Sequence, residues 1–334
     1  MPVTIKDVAR ESGVNTSTVS RALNNGYGVN DATRKLVVAV ATRLNYRTNR
    51  IARGLVTGRS HSLALVVSDI RNPFFAEVAR GAEDAAQRAK CDLVLCNSDL
   101  NAEKQMQYVW SMLEKCVDGI LMNSVSVLSK QQQTKLAACG VPVVLLNRSA
   151  SNRMFSTVCA DNESGGTLAA QYLLRLGHRK IAHLCGPEQH GNLSDRTRGF
   201  VHALQSSKAR VRPVVLHGDF NYAGGTELTR KLLDKYPDVT AIFAGNDIMA
   251  YGVIRVALER GLRIPEDLSL IGFDNIEFSS IIHPPLTTIH QPKYEMGEAA
   301  VEILLRLARD KGKQTREHRL LGVELIERQS CRKV

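Results

Sequence analysis

Apolar residues recur at i, i+3 and i+4 in two short stretches near the start of the chain, residues 5–9 and 19–23. This spacing predicts two short amphipathic helices. Gly13 lies between them, where two helices that meet at a steep angle need a residue that tolerates positive φ. Thr4, followed by an acid three residues later, predicts a capping box for the first helix, and Asn15 can cap the second. The pattern is typical of a helix-turn-helix unit.

The outward face of the second predicted helix carries Thr16, Ser17 and Arg21. In a helix-turn-helix unit these positions enter the major groove of DNA, so we expect them to read base edges. Residues 1–60 hold ten lysines and arginines against three acids, which contributes +7 to the chain's net charge of +11. A basic run alone is most often a solvated face, but a basic surface around helix-turn-helix spacing favours binding to DNA phosphates.

Two further segments complete this region. Residues 30–45 predict a third helix, whose apolar side is formed by Leu36, Val37, Val40, Ala41 and Leu44. Residues 47–58 fit a two-turn helix capped by Asn49, with Ile51, Ala52 and Leu55 on one side. So short a helix is marginal alone in water. If DNA and a second subunit order it, Leu55 can wedge between base steps from the minor groove; a plain linker is the alternative.

From Ser62 onward, short apolar runs of the kind found in buried strands alternate with helical ones. This alternation predicts parallel sheets with helices on both faces. There are enough units for two such sheets, with a natural crossing between them near residues 160–162. Ligands of open α/β sheets bind outside the carboxyl ends of the strands, so two facing sheet edges would form a cleft.

The residues that follow the predicted strands are polar, aromatic or both. Aromatic rings that stack on a sugar face, together with amides, a carboxylate and guanidinium groups, suit a carbohydrate pocket. Each residue alone has a plainer explanation: an Asp or Asn can be a helix cap, Arg196 a surface charge and Phe75 a core residue. The candidates are Phe74, Phe75, Asn147, Arg148, His190, Asn192, Arg196, Phe220, Asn246 and Asp274.

Length and composition limit the protein class. A chain of 334 residues is long for one core, so two or three domains are expected. No apolar run reaches membrane-spanning length and no apolar signal region precedes the first helix, so we expect a cytoplasmic protein without a membrane partner. The seven cysteines and nine histidines show no metal-ligand spacing. We therefore expect reduced thiols, no metal and no cofactor.

The sequence resembles the LacI/GalR family of bacterial transcription regulators from end to end. The segment from Thr4 to Asn24 matches the family signature almost position for position. The body matches it at Asn72-Pro-Phe-Phe75, Gly177-His178, Gly186-Pro187, Asn246-Asp247-Ile-Met-Ala250, Gly272-Phe-Asp274 and Pro285-Leu-Thr-Thr-Ile-His-Gln-Pro292. The last three motifs are highly specific in combination.

The resemblance implies a homodimer that binds double-stranded operator DNA and represses carbohydrate-metabolism genes. It also implies a small effector, which we expect to be a sugar or sugar derivative. The implied fold is an all-α helix-turn-helix head plus an α/β body of two doubly wound parallel-sheet subdomains, of periplasmic-binding-protein type. The implied domains are a DNA-binding domain (1–46), a hinge (47–60) and an effector-binding and dimerisation domain (61–334). The last divides into an N-subdomain, about 61–160 and 292–322, and a C-subdomain, about 161–291 and 323–330.

The resemblance also assigns roles to individual residues. DNA contacts are expected from Thr4, Thr16, Ser17, Thr18, Arg21, Asn24, Asn49, Ala52 and Leu55. Effector contacts are expected from Phe74, Arg196, Asn246 and Asp274, with His190, Asn192 and Phe220 carried over on weaker matches.

The chain departs from the family pattern in places. Thr48 replaces the usual proline before the hinge, so hinge order is expected to depend more on DNA. Asn147 stands where many sugar-binding members have Asp, which puts that hydroxyl contact in doubt. The leucine-repeat tail that makes some members tetramers is missing, which favours a dimer.

Two other classes of protein fit the sequence less well than a regulator. The basic head and the missing signal region disfavour a sugar-binding module for transport. An enzyme is disfavoured because no nucleophile or metal site accompanies Asp274 and His190, and no phosphate-loop or G-x-S-x-G motif occurs.

Overall fold

A computed structural model describes residues 3–24, 26–47, 58–123, 128–147, 154–187, 191–309 and 316–334, the side chains of 191–193 excepted. The chain divides into two compact units, Met1–Ser60 (the head) and His61–Val334 (the body).

The head contains helices α1 (Ile5–Ser12), α2 (Thr16–Leu23) and α3 (Asp31–Arg43). The predicted capping box at Thr4 is confirmed, and Gly13 adopts a left-handed φ of 67°. Asn15 caps α2, since its Oδ1 accepts the Thr18 N–H at 2.7 Å. These local signals produce the predicted helix-turn-helix unit.

The three helices of the head share one small core. It is formed by Val8, Ala9, Val19, Ala22, Val37, Val40 and Ala41. The prediction that Leu36 belongs to the apolar side of α3 is wrong, because its side chain is 49% exposed. The face that packs is set by positions 37, 40 and 41, and position 36 is rotated away from it.

The body contains two six-stranded sheets. The first has the order β11-β5-β4-β3-β1-β2, and all of its strand pairs are parallel. Its strands are β1 (Ser62–Val67), β2 (Asp92–Asn97), β3 (Gly119–Asn123), β4 (Val143–Leu146), β5 (Ser156–Ala160) and β11 (His318–Leu321).

The second sheet has the order β12-β10-β9-β8-β6-β7, and it is parallel except for the antiparallel edge strand β12. Its strands are β6 (Ile181–Cys185), β7 (Val214–His217), β8 (Ala241–Ala244), β9 (Ser269–Asp274), β10 (Thr287–His290) and β12 (Glu324–Ile326). The predicted fold class is confirmed.

Helices cover both faces of each sheet, which explains why strands such as β3, β5, β6 and β9 are buried along their whole length. The helices are α4 (Pro73–Arg88), α5 (Ala102–Glu114), α6 (Lys130–Ala138), α7 (Asn162–Arg175), α8 (Gly191–Ser206), α9 (Tyr222–Lys235), α10 (Asp247–Glu259), α11 (Phe278–Ile281) and α12 (Lys293–Arg309).

The chain passes between the sheets at short connections. It leaves the first sheet after Ala160, and it returns between His290 and Lys293, because α12 packs on β3, β4 and β5. It passes again to the second sheet between Leu321 and Glu324. The carboxyl ends of the strands in both sheets therefore lie beside these passages.

Helices α7 and α8 lie in backbone contact at Gly166. A Cβ added there would lie 2.0 Å from the carbonyl oxygen of Arg196 and 2.8 Å from the Phe200 nitrogen. Both of those atoms belong to the backbone of α8, so only glycine permits this approach. The approach sets the position of Arg196 relative to the second sheet.

Gly166→Ala should destabilise the body by about 1–3 kcal/mol, the usual cost of overpacking. The direction is informative because alanine is normally better than glycine inside a helix by about 1 kcal/mol. Urea unfolding measures the change. Gly322→Ala is the matched control, since a Cβ there meets nothing within 4 Å. Equal unfolding midpoints for the two variants would contradict the close approach.

Candidate functional site

The body encloses a cavity of about 480 Å³ between the strand-end loops of its two sheets. This volume suits a small organic ligand. The cavity is lined by Ser68, Asp69, Arg71, Asn72, Phe74, Phe75, Leu100, Asn123, Asn147, Arg196, Phe220, Asn221, Tyr222, Ala223, Ile248, Asp274 and Gln291.

Arg196 is a buried cation in the wall of this cavity, with 3% of its surface exposed. Its guanidinium donates to the Gly245 carbonyl and, at 2.8 Å, to Asn162 Oδ1. The guanidinium carbon lies 3.3 Å from the centroid of the Phe273 ring, in a cation–π contact. Burial lowers the pKa of Arg196 to about 10, against the attraction of Asp274, so the side chain stays charged at neutral pH.

Asp274, the last residue of β9, supplies the opposite charge. Its side chain is buried, and Oδ1 accepts the Gln291 Nε2–H at 2.6 Å. Burial raises the pKa of the Asp274 carboxyl to about 7, although Arg196 acts to lower it. The group is therefore close to its titration point at neutral pH, where it can accept a hydrogen bond as a carboxylate or donate one as an acid.

Aromatic rings form the apolar part of the lining. Phe74 and Phe75 at the start of α4 pack edge to face, with ring centroids 5.0 Å apart. Asn72 caps this helix by accepting the Phe74 N–H at 3.0 Å. On the side of the second sheet, the Phe220 ring centroid lies 5.9 Å from the Arg196 guanidinium carbon. Both sheets thus contribute rings and polar groups to one cavity.

Three buried polar atoms in the lining have no hydrogen-bond partner within the described part of the chain. They are Asn147 Oδ1, Arg196 Nε and Gln291 Oε1. An unpaired buried polar group costs about 1–3 kcal/mol. These two acceptors and one donor belong to residues that line the cavity.

The structure brings together Phe74, Phe75, Asn147, Arg196, Phe220 and Asp274 of the predicted effector contacts. Asn246 does not line the cavity; it is wholly buried, and its Oδ1 caps α10 by accepting the Met249 N–H at 2.8 Å. Arg148 and His190 lie outside the described residues, as does the side chain of Asn192 in α8. The effector contacts of all these residues stay predictions.

Some lining residues were missed from the sequence. Ser68 directly follows β1, Asn123 ends β3, and Gln291 directly follows β10. Asn123 Nδ2 donates to Ser68 Oγ at 3.0 Å. The position of each residue after a strand, the signal that pointed to Asp274, could have identified them.

In the head, the predicted base-reading residues Thr16, Ser17 and Arg21 are all exposed on α2. Ser17 Oγ donates to Asn15 Oδ1 at 2.7 Å, which leaves the hydroxyl oxygen free to accept a hydrogen bond. These side chains form one outward face of the helix. Their contacts with DNA stay predictions.

The other predicted DNA contacts have local roles or lie elsewhere. The Thr4 hydroxyl donates to Asp7 at 2.7 Å, and Asn24 Nδ2 donates to the Ser20 carbonyl at 2.8 Å. Thr18 is half-buried. Asn49, Ala52 and Leu55 lie outside the described residues.

A helix-turn-helix head and a two-sheet body with a ligand-sized polar cavity define an effector-controlled DNA-binding regulator. Residues 4–49 match the family model of bacterial regulatory proteins of the lacI family, and residues 170–331 match that of the periplasmic binding protein-like domain. Catabolite control protein A of Priestia megaterium is 40% identical over 308 residues, 92% of each chain. The HTH-type transcriptional repressor PurR of Aliivibrio salmonicida is 36% identical over 99% of each chain.

Among solved structures, the lac repressor dimer bound to operator and the anti-inducer ONPF superimposes with a TM-score of 0.88, at 30% identity over 99% of each chain. The chain belongs to the LacI family of bacterial transcription regulators. It is thus a DNA-binding transcriptional repressor controlled by a small-molecule effector. Among the described helices, none combines the length and apolar character that a bilayer crossing requires.

The stability of the protein should depend on pH through Asp274. Its folded pKa of about 7 lies above the unfolded value of about 4, so its contribution to stability is lost as pH rises through this interval. Asp274→Asn removes that loss. Urea unfolding should therefore favour the variant, relative to the parent protein, more at about pH 8 than at about pH 5.

Asp267→Asn is the control for this experiment. Hydrogen bonds from Arg263 lower the pKa of Asp267 to about 2, so the carboxylate is ionised at both pH values. The difference between this variant and the parent should not change between them. An Asp274→Asn difference that is equally independent of pH would contradict the raised pKa.

Proposed function

We propose that this repressor controls carbohydrate-metabolism genes and that its effector is a sugar or sugar derivative bound in the body cavity. The observation that carries the proposal is the set of unpaired buried atoms in the lining, Asn147 Oδ1, Gln291 Oε1 and Arg196 Nε. Sugar hydroxyls both donate and accept hydrogen bonds, so one polyol can satisfy both acceptors and the donor.

The charged pair and the rings add to this support. A hydroxyl can donate to the Asp274 carboxylate and accept from the Arg196 guanidinium, and charged partners strengthen both bonds. Phe74 and Phe220 offer apolar surfaces for the C–H face of a sugar ring. The repressor should therefore bind a compact, hydroxyl-rich molecule.

The effector proposal is tested by a thermal-shift screen of sugars, sugar phosphates, sugar acids and flat heterocyclic bases, because a ligand that binds only the folded state raises its stability. Calorimetry then compares variants. Arg196→Ala should lose about 1–3 kcal/mol of binding to the compound found, because a ligand hydroxyl is left unpaired. Arg198→Ala, two residues along α8, is the control, since Arg198 is exposed and pairs with Glu163 and Asp195.

The outcomes of this experiment separate the alternatives. A screen in which only the heterocyclic bases stabilise the protein would contradict the sugar proposal. Equal affinities of the parent protein, Arg196→Ala and Arg198→Ala would place the ligand elsewhere than in this cavity.

We propose that Thr16, Ser17 and Arg21 read the operator, because they share the exposed face of α2. With an operator selected from random DNA, Arg21→Ala should cost about 1–3 kcal/mol on that site and little on random DNA. Arg10→Ala, in the exposed last turn of α1, is the control and should weaken both equally if Arg10 contacts phosphate. Equal losses for Arg21→Ala on both DNAs would reduce Arg21 to a phosphate contact.

We propose that the protein is a homodimer. The lac repressor structure is described as a dimer bound to operator. The body exposes large apolar side chains on its edge strand β2, Val94 and Leu95, and on α11, Phe278 and Ile281. A second copy would cover this surface. A purified chain that sediments as a monomer at micromolar concentration would contradict the proposal.

The remaining assignments rest on membership of the family. We propose a DNA-binding domain of residues 1–46, a hinge of residues 47–60 in which Leu55 wedges into the minor groove, and a regulatory body of residues 61–334. The role is regulatory rather than catalytic, because the relatives are transcription regulators, and the place of action is the cytoplasm, where the DNA is.

A further inference from the structure

Lys293 is a buried cation beside the effector cavity. It is the first residue of α12, and only 2% of its surface is exposed. Its Nζ donates to the backbone carbonyls of Asp274 at 2.8 Å, Asn275 at 2.9 Å and Gln291 at 3.4 Å. The Glu77 carboxylate on α4 lies 3.6 Å from Nζ. Three carbonyls and a carboxylate thus surround one ammonium group.

Burying the Lys293 ammonium group at this position costs free energy for two reasons. Removing a charge from water costs several kcal/mol in proteins. The amino end of a helix is also the wrong end for a cation, because the helix dipole is positive there. An unbranched apolar side chain would fill the same space without either cost. What the lysine adds is a charged donor aimed at the carbonyls that end β9.

The lysine joins the two halves of the body. Its backbone belongs to α12, which packs tightly on α4: a Cβ added at Gly297 would lie 2.0 Å from the Val78 carbonyl oxygen. The carbonyls that it binds at Asp274 and Asn275 instead lie at the end of β9 in the second sheet. One side chain therefore ties the first turn of α12 to a strand end of the other sheet.

The strand end that Lys293 holds has an unfavourable backbone conformation. Asp274 has a φ of 112° and Asn275 a φ of 52°. Non-glycine residues rarely adopt positive φ, and the surrounding structure must hold them there. Hydrogen bonds from Lys293 to both carbonyls supply such a restraint at the residue whose carboxyl faces the cavity.

We propose that Lys293 is the positioning residue for Asp274: it clasps the end of β9 to α12 and so directs the Asp274 carboxyl into the effector cavity. The link to the effector rests on the proposed function, whereas the positioning itself does not. Other charged groups face the same pair. Arg196 on α8 and Asp247 on α10 face Asp274, and Glu77 on α4 and His290 on β10 face Lys293.

The test uses the full-length protein without an effector, so a failed effector screen leaves it intact. Lys293→Met removes the ammonium and keeps an unbranched side chain, and Lys293→Arg keeps the charge. Lys231→Met is the matched control, because Lys231 is exposed and pairs with Glu227 one turn away on α9. Thermal unfolding is measured for each protein at about pH 5 and about pH 8, alone and combined with Asp274→Asn.

The expected sign follows from the charge on Lys293, which lowers the pKa of Asp274. Without it, the folded pKa of Asp274 rises further, and more stability is lost as pH increases. Lys293→Met should therefore lower Tm more at about pH 8 than at about pH 5. In the Asp274→Asn background, the part of this Tm loss that depends on pH should fall by more than half, and the remainder reports Asp247 and His290, whose pKa values Lys293 also lowers. Lys293→Arg should show no more than half of the pH-dependent Tm loss of Lys293→Met, and Lys231→Met should show no such loss.

A side chain that merely fills space gives a different result. The proposal would be overturned if Lys293→Met lowered Tm equally at both pH values. It would also be overturned if Asp274→Asn did not reduce the pH-dependent part of the Tm loss by more than half. If Lys293→Met does not fold, Lys293→Gln carries the same comparison, since it keeps an N–H donor and loses the charge.

Hydrogen exchange supplies a second readout. Lys293→Met should speed the exchange of the amides that follow Asp274 more than that of the β8 amides, which report the change in global stability. An equal change in both segments would overturn the assignment.

Discussion

The guanidinium of Arg196 is held between the Phe273 ring, the Asn162 amide and the Gly245 carbonyl, and the cavity of the body is built around this contact. A buried charge is tolerated when hydrogen bonds and a nearby opposite charge offset most of its desolvation. Here the partners come from the start of α7, the loop after β8 and the end of β9. Holding this cation therefore fixes one segment that follows the first sheet and two segments at the carboxyl ends of strands in the second sheet.

Both members of the charged pair are bonded to residues at passages between the sheets. Arg196 binds Asn162, two residues after β5 ends at Ala160, and Asn162 Nδ2 donates to the Ala160 carbonyl at 2.9 Å. Asp274 is held through its carbonyl by Lys293, where the chain has just returned. A ligand that binds one arrangement of Arg196 and Asp274 more tightly than another will shift the equilibrium between arrangements of the two subdomains. The size of the shift is set by the difference between its affinities for those arrangements.

Local chemistry was readable from the sequence because it acts over a few residues. The Thr4 capping box and the Asn15 cap depend only on the first residues of their own helices. Buried parallel strands are recognised by uninterrupted apolar runs. The fold class followed from that alternation, and the family resemblance added the subdomain arrangement. Asp274 and Arg196 were identified because several strand-end loops together carry polar and aromatic residues, and because the family resemblance places both at effector-contacting positions.

Features decided by distant partners were not readable. Leu36 has the spacing of a core residue, but the packing angle of α3 decides which neighbour is buried. Asn246 has the same strand-end position as Asp274, yet its side chain caps α10 rather than lining the cavity. Gln291 looked like part of a family motif, and only the strand order places its amide against Asp274. Lys293 gave no signal, because most lysines at a helix start are solvated.

Strands β11 and β12 follow every other strand of the described residues, and each forms one edge of a different sheet. During synthesis, neither half of the body can complete its sheet until these residues leave the ribosome. The head has no such dependence, because the residues of its core lie between Ile5 and Tyr46. A chain whose synthesis is incomplete therefore has a folded DNA-binding head before its effector-binding body can fold completely.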